Sequence, residues 1–394
     1  MTPPARAQAA IDILDLVVAA AREAGPAADT IVADYFRTRR YAGSRDRRAV
    51  RELVYAAIRR AGERPVGGRA ALLGLADDRP ELALMFDGAG HGPAAASPDE
   101  PRAPAGVAPE WLLARLSSLL DEPGRAALLD RAPLDLRVNT LKTDVAQVAA
   151  EFPGAVATPH APHGLRLPEG TRVEDSSAYR EGRIEVQDAG SQLIALACAA
   201  APGMVVVDLC AGAGGKSLAL AADLGGPEES GGRLIACDTD RGRLSRLTPR
   251  AARAGARIEQ RLLDPNRERE ALADLEGRAD LVLVDAPCSG TGTWRRNPEA
   301  RWRLTPGRVS RLVELQSHIL DLAAMLVRPG GHLVYAVCSL LPEEGLAQIA
   351  AFLNRHSAWT PQDLPFGQAD GAGRTLSPQA DGTDGFFIAR LQAP

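Results

Sequence analysis

Val205–Ala221 reads VVVDLCAGAGGKSLALA. Three valines lead to Asp208, a glycine-rich turn follows, and an Ala/Leu run then opens a helix. This strand–turn–helix unit places backbone N–H groups at a helix N-terminus, where glycine permits close approach of a ligand. Working outward from it, Met204–Leu209, Arg233–Asp238, Arg257–Leu263, Asp280–Asp285 and His332–Val337 are short apolar runs separated by helical stretches rich in Ala, Leu and Arg. Near-continuous apolar strands alternating with helices predict a parallel sheet covered on both faces. Gly385–Leu391 reads as an antiparallel edge strand. The expected architecture is α/β, a doubly wound and mostly parallel sheet.

Three ligands compete for the glycine turn. A dinucleotide fingerprint would need glycine at 217, where Ser217 stands. A nucleoside triphosphate loop fits the Gly215-Lys216-Ser217 tail, but its leading glycine falls on Cys210. S-adenosylmethionine needs such a turn plus a carboxylate at the end of the second strand for the ribose hydroxyls, and Asp238 ends RLIACD. Asp264 closes the third apolar run, on the adenine side, and Asp285 closes the fourth. Any one of these aspartates alone reads as a turn or helix cap. Together they mark a crevice at the carboxyl edge of a sheet.

Two Cys-Ser pairs follow strands, in DAPCSGTGTWRRNPEARW (Asp285–Trp302) and VYAVCSLLPEE (Val334–Glu344). Neighbouring strands deliver their loops to one crevice, so Cys288 and Cys338 are expected to converge although they lie 50 residues apart in sequence. Two thiols beside a methyl donor point to pyrimidine chemistry. A thiolate adding to carbon 6 makes carbon 5 nucleophilic enough to accept a methyl group, and the base must leave its stack to be reached. The five cysteines have no zinc spacing and do not read as a disulfide framework. No metal site is expected, and His318 and His332 read as structural.

These motifs resemble the NOL1/NOP2/Sun family of RNA cytosine-5 methyltransferases, and Arg137-Val138-Asn139-Thr140 and VQDAGSQL (Val186–Leu193) are similar to it as well. The resemblance covers nearly the whole chain and implies a class I S-adenosylmethionine-dependent methyltransferase domain preceded by an all-α, NusB-like RNA-binding domain, as in the bacterial Sun branch. It implies that Cys210, Ala211, Gly212, Ala213, Gly214, Gly215 and Lys216 form the cofactor loop, with Asp238, Arg243, Asp264 and Asp285 also at the cofactor. It implies that Cys338 is the nucleophile, that Cys288 helps release the product, and that Asp285 also contacts the cytosine ring. Ala213 stands where the family usually has proline, and Val337 where it usually has threonine. Small-subunit ribosomal RNA is the expected substrate. Transfer RNA, a non-catalytic RNA-binding assembly factor and an NTPase are the alternatives.

Residues 1–86 are expected to form the helical domain, 87–109 a linker rich in Gly, Ala and Pro, 110–188 a small mixed subdomain and 189–394 the methyltransferase domain. Ala7, Ala10, Ile11, Leu14, Val17, Val18 and Ala21 recur at helical spacing. A second helix follows Ser44, read as its N-cap, with Val50, Leu53, Val54, Ala57 and Ile58 as its stripe. From 35 to 69 eleven arginines face three acidic residues, with Tyr35, Phe36, Tyr41 and Tyr55 among them. This pattern fits either RNA contact or a solvated helix face. Trp294–Arg303 raises the same choice, between an RNA-binding rim and tryptophans packed inward. The 394 residues are 45% hydrophobic and 24% charged with a net charge of −4. That excludes a disordered chain and a generic polycation. Neither a signal peptide nor a membrane span is evident, so a cytoplasmic protein is expected; it is also expected to be a monomer.

Overall fold

Val205–Asp208 lies third from one end of a nine-stranded sheet, and the chain on either side of it is arranged as βα repeats require. The computed structural model describes residues 1–23, 25–226 and 232–394. Contacts divide it into two compact units, Met1–Arg131 with Thr293–Pro306, and Ala132–Gly292 with Gly307–Pro394.

The second unit begins with a small antiparallel sheet of β1 (Leu134–Val138), β2 (Val156–Ala157), β3 (Gly164–Leu167) and β4 (Ile184–Val186), in the order β2-β3-β1-β4. The large sheet contains β5 (Val205–Asp208), β6 (Arg233–Asp238), β7 (Glu259–Leu262), β8 (Ala279–Asp285), β9 (Val327–Val337), β10 (Thr360–Gln362), β11 (Gln368–Asp370), β12 (Gly373–Leu376) and β13 (Phe386–Gln392). Its order is β11-β12-β13-β9-β8-β5-β6-β7, with β10 also paired to β13. Strands β5 to β9 run parallel, and β10 to β13 are antiparallel. The order turns around at β5 and β8, so the crevice outside their carboxyl ends is the place for a ligand.

Alternate residues of these strands enter opposite cores. Val207, Ile235, Val282, Val284, Leu333 and Tyr335 pack with the helices Pro306–Leu326 and Leu346–Arg355. Val206, Leu234, Leu281, Leu283, Val334 and Ile388 pack with Ala189–Cys198 and Gly215–Asp223. This period of two with both faces apolar is what the valine-rich runs encode. The last strand differs from expectation. It is antiparallel, yet it lies inside the sheet, because the short β10 and β12 cover it.

The first unit packs α1 (Pro3–Arg22), α2 (Ala28–Arg37), α3 (Ser44–Arg60) and α4 (Gly68–Asp78). The predicted α1 stripe is buried, as are Val50, Val54, Ala57 and Ile58 of α3, with Leu53 half-buried against them. The N-cap of α3 is Gly43, and Ser44 is its first helical residue. The stretch 87–109 is fastened to this unit. Arg69 pairs with Glu100 at 2.5 Å, Arg102 with Asp77 at 2.5 Å, and Ala103 N–H donates to the Ala70 carbonyl at 2.9 Å. The division between the two units falls after Arg131.

Thr293–Pro306 also belongs to the first unit, and there its tryptophans point inward. Trp294, Arg301 and Trp302 are buried. Arg301 donates to the carbonyls of Ile58, Arg59 and Ala61 at 2.7, 3.1 and 2.8 Å, satisfying the C-terminal end of α3. Trp302 Nε1 donates to Ala61 at 3.0 Å. Glu299 accepts from Ala28 N–H at 2.9 Å, capping α2 where its own N-cap, Ala27, has no side-chain acceptor. An anion at a helix start and a cation at a helix end are the signs the helix dipole favours. Burial lowers the Arg301 pKa to about 9. The expectation of an RNA-binding rim at Trp294–Arg303 therefore gives way to the packed reading.

The aromatics among the basic residues of 35–69 are mostly occupied as well. Tyr35 and Phe36 are buried, Tyr35 donates to Asp12 at 2.9 Å, and Arg39 lies 3.7 Å over its ring. Tyr41 is 73% exposed, and Arg40, Arg45 and Arg48 lie exposed near it in the chain.

Candidate active site

Asp208 ends β5 fully inside the protein and accepts the Ser217 hydroxyl at 2.6 Å. This bond ties the start of the helix Gly215–Asp223 back to the strand and shapes the turn between them. Gly212 and Gly214 have φ of 56° and 83°, values that glycine adopts without strain. Side chains would not fit there either. A Cβ on Gly214 would fall 2.1 Å from Leu247, and one on Gly212 would fall 2.7 Å from the Arg243 guanidinium. The loop is pinned further by Ala211 N–H to the Cys237 carbonyl at 2.8 Å and by Arg250 to the Ala213 carbonyl at 2.6 Å. Cys210 packs against the core, and burial pushes its thiol well above its ordinary value.

Asp238 reaches from the end of β6 to this loop. Its two oxygens accept Gly212 N–H and Asp240 N–H, each at 2.7 Å. Each keeps a lone pair, as ribose hydroxyls would require. At Gly215 the protein imposes no steric limit, since an added Cβ would meet nothing closer than Gln187 Nε2 at 3.7 Å. A glycine turn held open there, a helix N-terminus behind it and a carboxylate on the next strand fit a nucleoside carrying a methionine-like tail. Arg243, lying over Gly212, fits the same site. Asp264 is exposed in the turn after β7, where its carbonyl accepts Arg267 N–H at 2.9 Å. It joins none of these contacts.

Lys216 connects the loop to the chemistry. It forms an ion pair with Asp285 at 2.6 Å. Burial opposes its charge, but the Asp285 carboxylate outweighs this and raises its pKa, with the Cys338 sulfur contributing in the same sense. Asp285 lies level with Ala336 across β8 and β9, so the loops beyond these strands start side by side. They bring Cys288 Sγ to 3.3 Å from Cys338 Sγ. The hydrogen bond to Cys338, together with burial, holds the Cys288 thiol well above its ordinary value. The expected convergence of the thiols is present, together with Asp285 and Lys216.

Sequence reasoning did not assign roles to the groups beneath the thiols. Ser289, Thr291, Gln316, Ser339 and Glu344 form a buried polar cluster there. Its only sequence signal is the repeated Cys-Ser pair and the Glu343-Glu344 that follows the second one.

The sheet order, glycine turn and strand-end carboxylates define a class I S-adenosylmethionine-dependent methyltransferase fold. Residues 195–392, half of the chain, match the family described as 16S rRNA methyltransferase RsmB/F, and the chain belongs to that family. It is 37% identical over 291 residues to the ribosomal RNA small subunit methyltransferase B of Enterobacter sp. (strain 638), a match covering 72% of this chain and 66% of that protein. The match thus spans just under two thirds of that relative's length. The crystal structure of PH0851 superposes with a TM-score of 0.78 at 25% identity, covering 99% of each chain. A methyltransferase homolog protein from Pyrococcus horikoshii gives a TM-score of 0.60 at 27% identity, covering 69% of this chain and 90% of its own. No helix among the described residues is long and apolar enough to cross a membrane.

Proposed function

We propose that this protein transfers a methyl group from S-adenosylmethionine to carbon 5 of a cytidine in small-subunit ribosomal RNA. The observation that carries the reading is the thiol pair, 3.3 Å apart, on adjacent loops beside the Lys216–Asp285 ion pair. S-adenosylmethionine supplies an electrophilic methyl group. Asp238, Arg243 and the loop Cys210–Lys216 hold it, with Asp264 on the adenine side.

In this reading Cys338 attacks as the thiolate. Its sulfur bonds to carbon 6, and the electrons of the 5,6 double bond become available at carbon 5, which takes the methyl group. Asp285, held by Lys216, contacts the cytosine ring. Loss of the carbon 5 proton then re-forms the double bond and expels the Cys338 sulfur. Cys288 is suited to assist this release. The hydrogen bond to Cys338 raises its pKa, and that bond is lost once Cys338 is bonded to carbon 6, so the Cys288 thiol can then give its proton to solvent and, as the thiolate, take the carbon 5 proton. The helical unit, with exposed Arg40, Arg45 and Arg48, is the proposed NusB-like RNA-binding module, contacting phosphates. The protein works in the cytoplasm as a monomer in this account.

Mapping 5-methylcytosine in ribosomal and transfer RNA from cells lacking the protein tests the substrate. The expected result is one small-subunit position that loses its methyl group and regains it on complementation. A complete small-subunit pattern with a missing transfer-RNA position would replace the substrate. No change in either RNA would remove the reading.

A further inference from the structure

Glu344 is fully buried, and the hydrogen bonds it accepts come from neutral donors on three segments. Oε1 accepts Ser289 N–H at 2.9 Å and Gln316 Nε2 at 3.0 Å. Oε2 accepts the Ser339 hydroxyl at 2.5 Å and the Ser289 hydroxyl. Ser289 and Ser339 are the residues directly after Cys288 and Cys338, and their hydroxyls lie 3.1 Å from each other. Thr291 completes the clasp, lying 3.2 Å from the Ser339 hydroxyl and accepting Leu340 N–H at 2.8 Å. The base of the clasp is fixed too, since the Glu344 carbonyl accepts the Tyr335 hydroxyl at 2.7 Å and Gln316 also donates to the Pro287 carbonyl at 2.9 Å.

A carboxylate removed from water is costly unless all its acceptor sites are used. Here they are used on the two backbone steps that carry the thiols. We infer that Glu344 is a positioning residue that fastens the Cys288 and Cys338 loops together, so that the sulfur that attacks and the sulfur that releases keep one fixed separation through the reaction. The assignment rests on the methyl-transfer reading for its consequence, but not for its geometry. A glutamine at 344 can keep the clasp. Its oxygen accepts from Ser289 N–H and Gln316, and its amide donates to the two serine hydroxyls, which reverse their roles. An alanine cannot.

The test uses the full-length protein with Glu344→Ala, Glu344→Gln and Ser339→Ala. The first readout needs no RNA. Diamide takes two hydrogens from a thiol pair to give a disulfide and the reduced hydrazine, and the rate of Cys288–Cys338 coupling reports how well the sulfurs are held together. Glu344→Ala is expected to couple roughly tenfold more slowly, with Ser339→Ala between it and wild type and Glu344→Gln within about threefold of wild type. The second readout is methyl transfer to small-subunit RNA. Glu344→Ala should lose about a hundredfold in kcat with KM for S-adenosylmethionine unchanged, and Glu344→Gln should restore most of it. Should Glu344→Ala not fold, the comparison of Ser339→Ala with wild type carries both readouts. Wild-type coupling rates in the alanine variants would overturn the inference, as would a glutamine variant as defective as alanine. A wild-type enzyme that couples its thiols but methylates no RNA would instead overturn the proposed function and leave the clasp standing.

Discussion

Asp285–Gly292 and Thr293–Arg303 are consecutive in the chain and different in what they do. The first segment stays with the large sheet and supplies Asp285, Cys288 and Ser289 to the site. The second joins the helical unit, where Glu299 and Arg301 satisfy the ends of two helices. The difference lies in what each polar group finds as a partner. Near the thiols, polar groups face the sheet's carboxyl edge, where a ligand can replace water. In the following segment, the guanidinium of Arg301 is fully buried and donates to four backbone carbonyls, those of Pro298, Ile58, Arg59 and Ala61, so it is out of reach of a nucleic acid. An arginine–tryptophan run in sequence is therefore no evidence for RNA contact until the helix ends it might cap have been counted.

Removing Arg301 should break this contrast in one direction only. Arg301→Ala leaves carbonyls at the end of α3 without a donor, and its cost is expected to be about 3 kcal/mol or more. Urea unfolding monitored on the helical unit should show this, while calorimetry at a temperature where the protein is folded should show S-adenosylmethionine affinity intact. A stable variant would mean that water replaces the guanidinium freely.

Asp238→Ala should do the reverse. A charged contact to the ribose is worth about 1.5–3 kcal/mol, so cofactor affinity should fall about ten- to a hundredfold, with a smaller effect on stability. Unchanged affinity by calorimetry would remove Asp238 from the cofactor site.

A further prediction concerns a buried acid on the site's side of the comparison. Burial, against the bond from Ser217, raises the Asp208 pKa to about 7. A carboxyl group raised in the folded state favours folding when protonated. Its stabilisation is present below the ordinary value near about 4 and is lost as pH rises toward 7. Asp208→Asn mimics the protonated form, so the melting temperature of the variant relative to wild type should climb between pH 5 and 7 and level off above. Parallel melting curves across that range would show that the ionised form is tolerated.

Much of this was legible in the residues. The valine runs gave the strands, the glycine turn gave the crevice, and the Cys-Ser repeat gave the thiol pair, because each depends on a local period or a strand-end position. The interior placement of β13 was not legible, since β10 to β12 are three or four residues long and too short to show a period. The fastening of 87–109 was hidden because its anchors are single long-range pairs such as Arg69–Glu100. Glu344 was visible only as part of a motif. Its role depends on Ser289, 55 residues earlier, a separation that no local pattern encodes.

The central claim is that Cys338 attacks and Cys288 releases, and a denaturing gel of each alanine variant with substrate RNA and S-adenosylmethionine tests it most directly. Cys338→Ala should give no methylation and no protein–RNA species, because the attacking sulfur is gone. Cys288→Ala should permit attack and methyl transfer but stall before release, and a denaturant-resistant adduct should accumulate. An adduct with Cys338→Ala and none with Cys288→Ala would reverse the roles. Full activity in both, with no adduct, would contradict covalent catalysis at this thiol pair.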